Sequence, residues 1–284
     1  MNVLIAGCGD LGTEAGLRFA AAGHTVTGWR RDPSRLPAPI AGVPVDLTGE
    51  LPPIPPGTGV LVYTPAAGER SEEAYRRTYV DGLANVLDAL ERDGSDRGGA
   101  GRVRVLFVSS TTVYGDAAGG TVDEDTPPAP ASATGTIMVE AERLLRARRP
   151  DGIVLRLSGI YGPGRTRLID TLKRGTAVVP SAPHPTNRIH RDDAAAAIVH
   201  LTTSVRDPAP VYVGVDNEPA ELGDVLRFLA AELGLAEPPV GDSDTTRGGN
   251  RRLSNARLRD AGFRFAYPTY REGYRAMLAG TSGD

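Results

Sequence analysis

The sequence contains one cysteine, Cys8, among its 284 residues. A single thiol cannot form an intrachain disulfide, and this cysteine usage fits a reducing cytoplasm. No apolar run approaches the ~18 residues that a transmembrane helix needs, and the first residues lack the charged start and cleavage site of a secretory signal. The sequence therefore predicts a cytoplasmic protein without a membrane-spanning helix.

Long blocks of one charge are missing as well. The chain carries 32 Lys and Arg residues against 35 Asp and Glu residues, for a formal net charge of −3. Nothing in this balance favours binding to nucleic acid or to a membrane surface. The four histidines and one cysteine do not have the spacing of zinc ligands, so no metal site is predicted. Hydrophobic residues make up 40% of the chain, enough for one large domain or for a domain with a smaller lobe.

The chain does have a regular alternation of strand and helix patterns. Short apolar runs predict strands at residues 2–7, 25–29, 42–47, 59–65, 103–110 and 152–162. Helical patterns lie between them, at residues 11–24, 71–94 and 132–145. This alternation predicts an α/β fold with a Rossmann-type, doubly wound parallel sheet. A glycine-rich stretch at 94–102 predicts a flexible surface loop.

The run from Gly7 to Gly12 has the pattern G-x-G-x-x-G, and it follows a predicted strand and opens a predicted helix. Gly7 permits the tight turn, Gly9 lets a pyrophosphate approach the backbone, and Gly12 lets helix and strand pack closely. Free N–H groups at the helix start, with the helix dipole, then face the phosphates. We expect Gly7, Gly9, Asp10, Leu11 and Gly12 to contact a dinucleotide; the simpler alternative is a tight turn without a ligand.

The glycine motif indicates that the predicted sheet binds a dinucleotide. Residues 1–160, completed by part of 186–216, are interpreted as a dinucleotide-binding Rossmann domain. Residues 161–284, where the alternation becomes irregular, are interpreted as a smaller, interleaved C-terminal α/β lobe that binds the substrate.

The end of the second predicted strand indicates which dinucleotide is bound. An NAD enzyme usually has an acid there, bonding the ribose 2′-hydroxyl. This chain has Arg30 and Arg31 at that place, and two guanidinium groups suit a 2′-phosphate. We therefore expect NADP(H) to be preferred over NAD(H). Asp32 lies close enough to take the acid's role, which is the alternative.

Four segments resemble the extended short-chain dehydrogenases/reductases of the epimerase and dehydratase group. They are "YVDGLANVLDAL" (79–90), "FVSSTTVYGD" (107–116), "LRLSGIYGPGR" (155–165) and "NRIHRDDAAAAIVHL" (187–201). The resemblance covers nearly the whole chain and implies an NAD(P) cofactor. The glycine loop departs from the group's usual G-x-x-G-x-x-G, as in an atypical branch.

In this group a Ser or Thr, a Tyr and a Lys act together, and the Lys charge lowers the Tyr pKa. By the resemblance, Ser110 is the serine, but Thr134 stands at the tyrosine and Met138 at the lysine. Tyr79 replaces the asparagine of the fourth helix. The resemblance also places Tyr114 near the substrate as a contact or proton donor, or as a packed aromatic. Residues 132–145 contain no Tyr and no Lys, so no small alignment shift restores the pair.

The same resemblance assigns further residues to the cofactor site and to an interface. The cofactor residues it adds are Asp46, Leu47, Thr64, Pro65, Ala66, Ser109, Met138, Ser158 and Ile160. Helices 71–91 and 134–148 match those that form a four-helix interface in related proteins, so a homodimer is expected. Glu140 and Glu142, in the second of these helices, are interpreted as a solvated or partner-facing edge.

Three functions remain open on the sequence. The first is an NADP(H)-binding oxidoreductase or epimerase/dehydratase-like enzyme that acts on a small polar or sugar-like substrate with a non-standard acid/base site. The second is a non-catalytic dinucleotide-binding sensor, which the missing Tyr–Lys pair favours. The third is a lyase or isomerase that reuses the scaffold.

Overall fold

The computed structural model describes residues 1–92, 102–242 and 249–280. The loop predicted at 94–102 lies outside the described residues except for Arg102. The strands are β1 Asn2–Ala6, β2 Thr25–Arg30, β3 Ala41–Pro44, β4 Thr58–Tyr63, β5 Arg104–Ser110, β6 Thr121–Val122, β7 Ile153–Leu157, β8 Ile160–Tyr161, β9 Val179–Pro180, β10 Pro185–Thr186, β11 Ile189–His190, β12 Val211–Gly214, β13 Ala220–Glu221, β14 Val240–Gly241 and β15 Arg252–Leu253. The helices are α1 Asp10–Ala21, α2 Glu72–Tyr75, α3 Gly82–Arg92, α4 Ala133–Arg148, α5 Arg167–Lys173, α6 Arg191–Thr203, α7 Leu222–Glu232, α8 Ala256–Asp260 and α9 Tyr270–Gly280.

A seven-stranded sheet in the order β12-β7-β5-β4-β1-β2-β3 forms the centre of the fold. β1 pairs in parallel with both β2 and β4, and the pairs β2–β3 and β4–β5 are also parallel. This confirms the predicted Rossmann-type α/β sheet. Strand order reverses beside β1, and ligands of such sheets bind at the carboxyl ends of the strands at that point. The glycine loop follows β1 there.

The chain divides into two compact units. The first consists of residues 1–113, 128–156 and 195–212. Its largest fully buried side chains include Trp29, Phe19 and Phe107, contributed by β2, α1 and β5. Large side chains of the sheet and of α1 are thus buried in this unit.

The second unit consists of residues 114–127, 157–194 and 213–284. Its core packs α5, α7 and α9 around the buried aromatic rings of Tyr161 and Tyr270. Asp216 is buried in this unit, and its Oδ1 accepts the Glu218 N–H at 3.1 Å. Burial raises the pKa of the Asp216 carboxyl to about 7.

The helix predicted over 71–94 is not one continuous α-helix. It begins after Ser71, whose hydroxyl accepts the Ala74 N–H at 3.2 Å, but a π-helical segment, Arg76–Asp81, separates α2 from α3. The Tyr63 hydroxyl donates to the Thr78 carbonyl. Because that carbonyl has a partner outside the helix, the turn can widen without leaving a polar group unpaired.

The structure divides one predicted strand into two and confirms one predicted helix. The strand predicted at 152–162 is interrupted between β7 and β8, because Gly159 takes a positive φ of 41° that an extended strand cannot accommodate. The helix predicted over 132–145 is confirmed. α4 starts after Ser132, whose hydroxyl accepts the Gly135 N–H at 3.1 Å. Within the described ranges, none of the helices combines the length and hydropathy needed to cross a membrane.

Candidate functional site

The three glycines of the loop have different surroundings. Gly7 has φ +85°, and a Cβ there would lie 2.4 Å from the Pro65 nitrogen, so only glycine fits. A Cβ at Gly12 would lie 3.0 Å from Ile5 Cγ2, which shows how closely α1 packs on β1. Gly9 is exposed, and its Cβ would meet no atom nearer than 3.9 Å. The free space beside Gly9, at the start of α1, is therefore open to a ligand rather than filled by the protein.

A cleft of about 680 Å³ opens from this loop and lies within the first unit. That volume is in the range of small-molecule sites. The predicted cofactor residues that line it are Gly7, Gly9, Arg30, Arg31, Asp46, Leu47, Pro65 and Ala66. Residues that come from the ends of four strands are thus brought together around one opening.

The arginine pair at the end of β2 has two different environments. Arg30 is half-buried, and its Nη1 donates to the Cys8 carbonyl at 3.3 Å. Arg31 is exposed and lines the cleft. Asp32 caps a short turn, because its Oδ1 accepts the Ser34 hydroxyl at 2.6 Å and the Ser34 N–H at 3.0 Å. These two hydrogen bonds lower the pKa of the Asp32 carboxyl.

Asp46, two residues after the end of β3, faces a second positively charged element. Asp46 Oδ1 accepts the Thr48 N–H at 3.0 Å and the Thr48 hydroxyl at 2.8 Å, which lowers the pKa of its carboxyl. The charges of Arg31 and Arg77 lower that pKa further. Arg77 also lines the cleft. It was not predicted from the sequence, since no local pattern indicates where a helix arginine points. Asn85 holds the adjacent loop by donating to the Leu47 carbonyl at 2.9 Å.

The loop after β4 is fixed by backbone contacts. The Thr64 N–H donates to the Ala6 carbonyl at 2.9 Å, which joins it to the end of β1. Tyr79, in the π-helical segment, is bonded to the same loop by the Ala67 N–H, and its ring lies 6.4 Å from that of Phe107. Burial raises the pKa of Tyr79, and the hydrogen bond from Ala67 only partly opposes this. Tyr79 is therefore a protonated hydroxyl at neutral pH.

Ser109 and Glu142 belong to a buried polar network under the end of β5. The Ser109 hydroxyl donates to Glu142 Oε1 at 2.6 Å, and Arg156 binds both carboxylate oxygens, with Nη2–Oε2 at 2.6 Å. Glu142 is 7% exposed and Arg156 4%. The interpretation of Glu142 as part of a solvated or partner-facing edge was therefore wrong: its carboxylate is buried, and its charge is compensated inside the unit by an arginine on β7. Glu140, by contrast, is exposed to solvent and paired with Arg76.

Ser110 and Thr134 come from segments that touch. A Cβ at Gly135 would lie 2.5 Å from the Thr112 carbonyl oxygen, so the start of α4 packs on the turn that follows Ser110. Ser110 Oγ accepts the Thr112 N–H at 3.2 Å. Thr134 Oγ1 lies 3.2 Å from Ser132 Oγ. The segments that carry these two hydroxyl groups are thus in contact within the first unit.

Of the remaining predicted residues, Met138 and Tyr114 are buried, whereas Ser158 and Ile160 are partly exposed. Met138 is 2% exposed and packs in the core of the first unit, where it carries no charge. Tyr114, Ser158 and Ile160 belong to the second unit. Tyr114 is 2% exposed, and the Ser158 hydroxyl donates to the Asn187 carbonyl at 3.3 Å.

Comparison with known proteins places the chain in a family. Residues 3–214 match the NAD dependent epimerase/dehydratase family. Protein YeeZ of Escherichia coli K12 is 31% identical over 169 residues, which are 58% of this chain and only 59% of YeeZ. The 3-diazoavenalumate denitrifying reductase of a Streptomyces species is 28% identical over 84% of this chain and 83% of its own.

A solved structure from Methylobacillus flagellatus, described provisionally as an NAD-dependent epimerase/dehydratase, is 41% identical. It covers 99% of this chain and 98% of its own, with a TM-score of 0.80. The family match includes the glycine loop, the cleft and α4, and the full-length structural match agrees with it. The protein therefore belongs to the NAD dependent epimerase/dehydratase family.

Proposed function

We propose that the protein is an NADP(H)-dependent oxidoreductase or epimerase/dehydratase-type enzyme that acts on a small polar or sugar-like substrate. The observation that carries this proposal is the cleft that opens from the glycine loop, with free space beside Gly9 and arginines along its wall. Family membership and the reductase name of one relative support it. When bound, the dinucleotide would supply or accept a hydride.

The first unit offers the groups that such a cofactor needs. Gly9 leaves room for a pyrophosphate, and α1 begins there with N–H groups that have no partner inside the helix. Arg31 is exposed in the cleft, whereas the Asp32 carboxylate is already bonded to Ser34. This arrangement favours NADP(H) over NAD(H). Fluorescence titration with both reduced cofactors tests the preference, and tighter binding of NADH would contradict it.

The acid/base part of the proposal assigns roles to hydroxyl groups. Ser110 orients the reacting oxygen of the substrate, with Thr134 beside it. Tyr79 and Tyr114 are the candidate proton donors. Because the pKa of Tyr79 is raised and Met138 supplies no positive charge, Tyr79 can donate a proton at pH 7 but cannot remove one. The proposal therefore favours reduction of a substrate over its oxidation.

The absorbance of the reduced cofactor at 340 nm tests the enzyme directly. Steady oxidation of NADPH in the presence of members of a panel of small aldehydes, ketones and keto sugars is expected. NADPH that binds tightly but is not consumed with any member would instead support a non-catalytic dinucleotide sensor. The specific observation that favours this second candidate is Met138, buried and uncharged where the family's catalytic lysine is expected.

We further propose a homodimer formed through residues 71–91 and 134–148. These segments are held together within the chain by ion pairs of Arg148 with Asp88 at 2.8 Å and with Glu91 at 2.7 Å. A joined helical face of this kind suits a self-complementary contact. Light scattering at micromolar concentration is expected to give twice the 29.8 kDa chain mass, and a monomer would refute the proposal.

A further inference from the structure

We propose that Arg77 binds the 2′-phosphate of NADP(H) together with Arg31, so that the phosphate is held from two separate elements of the first unit. This inference rests on the proposed function and goes beyond it. It replaces the sequence-based pairing of Arg30 with Arg31, and it names a specificity-determining residue on a helix that the cofactor motif does not include.

Arg77 and Arg31 face the same cleft. Both line it, and both act electrostatically on the Asp46 carboxylate, which lies between the end of β3 and the opening. Both side chains are exposed. Two arginines from different elements that influence one carboxylate in one cleft can approach one bound anion.

The carboxylates that line the cleft accept hydrogen bonds from neighbouring side chains, whereas the guanidinium groups of Arg31 and Arg77 have no such partner among the described residues. The carboxylates of Asp32, Asp46 and Glu69 also line the cleft, and each accepts a hydrogen bond from a neighbouring serine or threonine. Within the part of the chain that the structure describes, the guanidinium groups of Arg31 and Arg77 have no hydrogen bond or ion pair. A dianionic phosphate would supply the missing partner, and guanidinium groups bind phosphate oxygens with two parallel hydrogen bonds.

Arg30 differs from Arg31 because its guanidinium group is hydrogen-bonded to the protein. Its Nη1 donates to the carbonyl of Cys8 inside the glycine loop, so its guanidinium group is tied to the loop. The loop side of the cleft is where the pyrophosphate is expected. This leaves Arg31 as the β2 arginine that is available for a 2′-phosphate.

The backbone that carries Arg77 is fixed by the sheet. Arg77 lies in the π-helical segment, and the next residue, Thr78, receives the hydroxyl hydrogen bond of the buried Tyr63. A Cβ at Gly82, the residue that follows the segment, would lie 2.5 Å from that hydroxyl, so the start of α3 also packs closely on Tyr63 of β4. π-Helical turns occur frequently at functional sites, and here Arg77 of the turn lines the cleft.

The neighbouring arginine provides a matched control. Arg76 carries the same charge on the same segment, but its guanidinium group is bonded to both oxygens of Glu140, at 2.7 and 2.9 Å. Arg76 is not among the residues that line the cleft. A general charge effect would therefore act on R76Q and R77Q alike, whereas a phosphate contact would act on R77Q alone.

The test is fluorescence titration of NADPH and NADH with the full-length chain and its R77Q, R77K and R76Q variants. R77Q is expected to raise the Kd for NADPH by about 10-fold or more, as for the loss of one charge-assisted hydrogen bond. Its Kd for NADH should stay within about two-fold of the parent chain, since NADH lacks the phosphate. R77K should recover part of the loss, and R76Q should change neither Kd. Unchanged thermal midpoints show that the variants are folded.

Adenosine 2′,5′-bisphosphate and adenosine 5′-monophosphate both lack the nicotinamide half and differ only in the 2′-phosphate. Competition by these two compounds therefore measures the contribution of the 2′-phosphate alone. R77Q should weaken the binding of adenosine 2′,5′-bisphosphate and leave the binding of adenosine 5′-monophosphate unchanged. If the parent chain prefers NADPH and R77Q binds it unchanged, the Arg77 assignment is overturned while the proposed cofactor stands. Equal loss for NADPH and NADH also overturns the assignment, since Arg77 would then support the site as a whole. A parent chain that prefers NADH overturns both proposals.

Discussion

Replacing Glu142 with glutamine probes the buried network that supports the end of β5. The variant keeps the size of the side chain and removes the negative charge that Arg156 faces at 2.6 Å. Arg156 is 4% exposed, so its charge cannot be rehydrated. Breaking one half of a buried pair costs about 3–5 kcal/mol. The Ser109 hydroxyl would also lose its ionised acceptor.

For a unit of this size, about 1 kcal/mol lowers the thermal midpoint by roughly 2–4 °C. E142Q is therefore expected to lower the midpoint of the parent chain by about 6–20 °C, measured by circular dichroism or calorimetry. E140Q is the control: it lies two residues earlier on α4, and its carboxylate is 45% exposed. Because exposed pairs contribute little, its midpoint should change by less than about 2 °C.

A second variant separates the charge from the packing. E142L combined with R156L removes both charges together, and replacing a buried pair by apolar residues of similar volume is often neutral. The double variant should therefore be more stable than E142Q. If E142Q and E140Q unfold at the same temperature, the buried network does not stabilise the first unit and the reasoning fails.

Three further predictions concern catalysis, pH and the glycine loop. Ser110→Ala should lower kcat by about 10²-fold, as for the loss of an orienting donor, and unchanged NADPH turnover at 340 nm would remove Ser110 from the mechanism. The pKa of Asp216 is about 7 in the fold against an unfolded value near 4, so the stability of the parent chain falls as pH rises between these values. Asp216→Asn, which mimics the protonated form, should gain in melting temperature over the parent chain between pH 5 and pH 8, and a constant difference would contradict the burial of a titrating group. Gly9→Ala should keep the melting temperature of the parent chain, because its Cβ would meet no protein atom nearer than 3.9 Å. The same Cβ should weaken NADPH binding, because it would occupy the space proposed for the pyrophosphate. Gly7→Ala should lower the melting temperature, because its Cβ would clash with Pro65.

The parts of the molecule that the sequence predicted are those encoded by local patterns. The glycine loop was predictable because three glycines at fixed spacing, between an apolar strand and a helix, determine a local backbone shape. The sheet followed from the alternation of strand and helix patterns, and Ser132 marked the start of α4. In each case the residues that decide the structure lie within a few positions of one another.

The parts that the sequence did not predict depend on contacts between distant segments. Arg77 faces the cleft from a π-helical turn, and that turn is bonded to Tyr63, a residue of β4. Glu142, on α4, looked like a surface acid because its partner, Arg156, lies on a separate element, β7. A single sequence does not show such pairings. The placement of Thr134 and Met138 at the tyrosine and lysine positions rests on the family resemblance and stays a prediction. The sequence did not indicate which group would act in place of that pair.

The central claim is that the cleft binds NADP(H) through the glycine loop and its arginines. The most direct measurement is the Kd of the full-length chain for NADPH and for NADH, by cofactor fluorescence at one fixed ionic strength, with Gly9→Ala as the control. The account predicts tighter binding of NADPH, and weaker binding of both cofactors by a Gly9→Ala variant that melts at the parent temperature. Tighter binding of NADH, or undiminished binding by the folded variant, would contradict it.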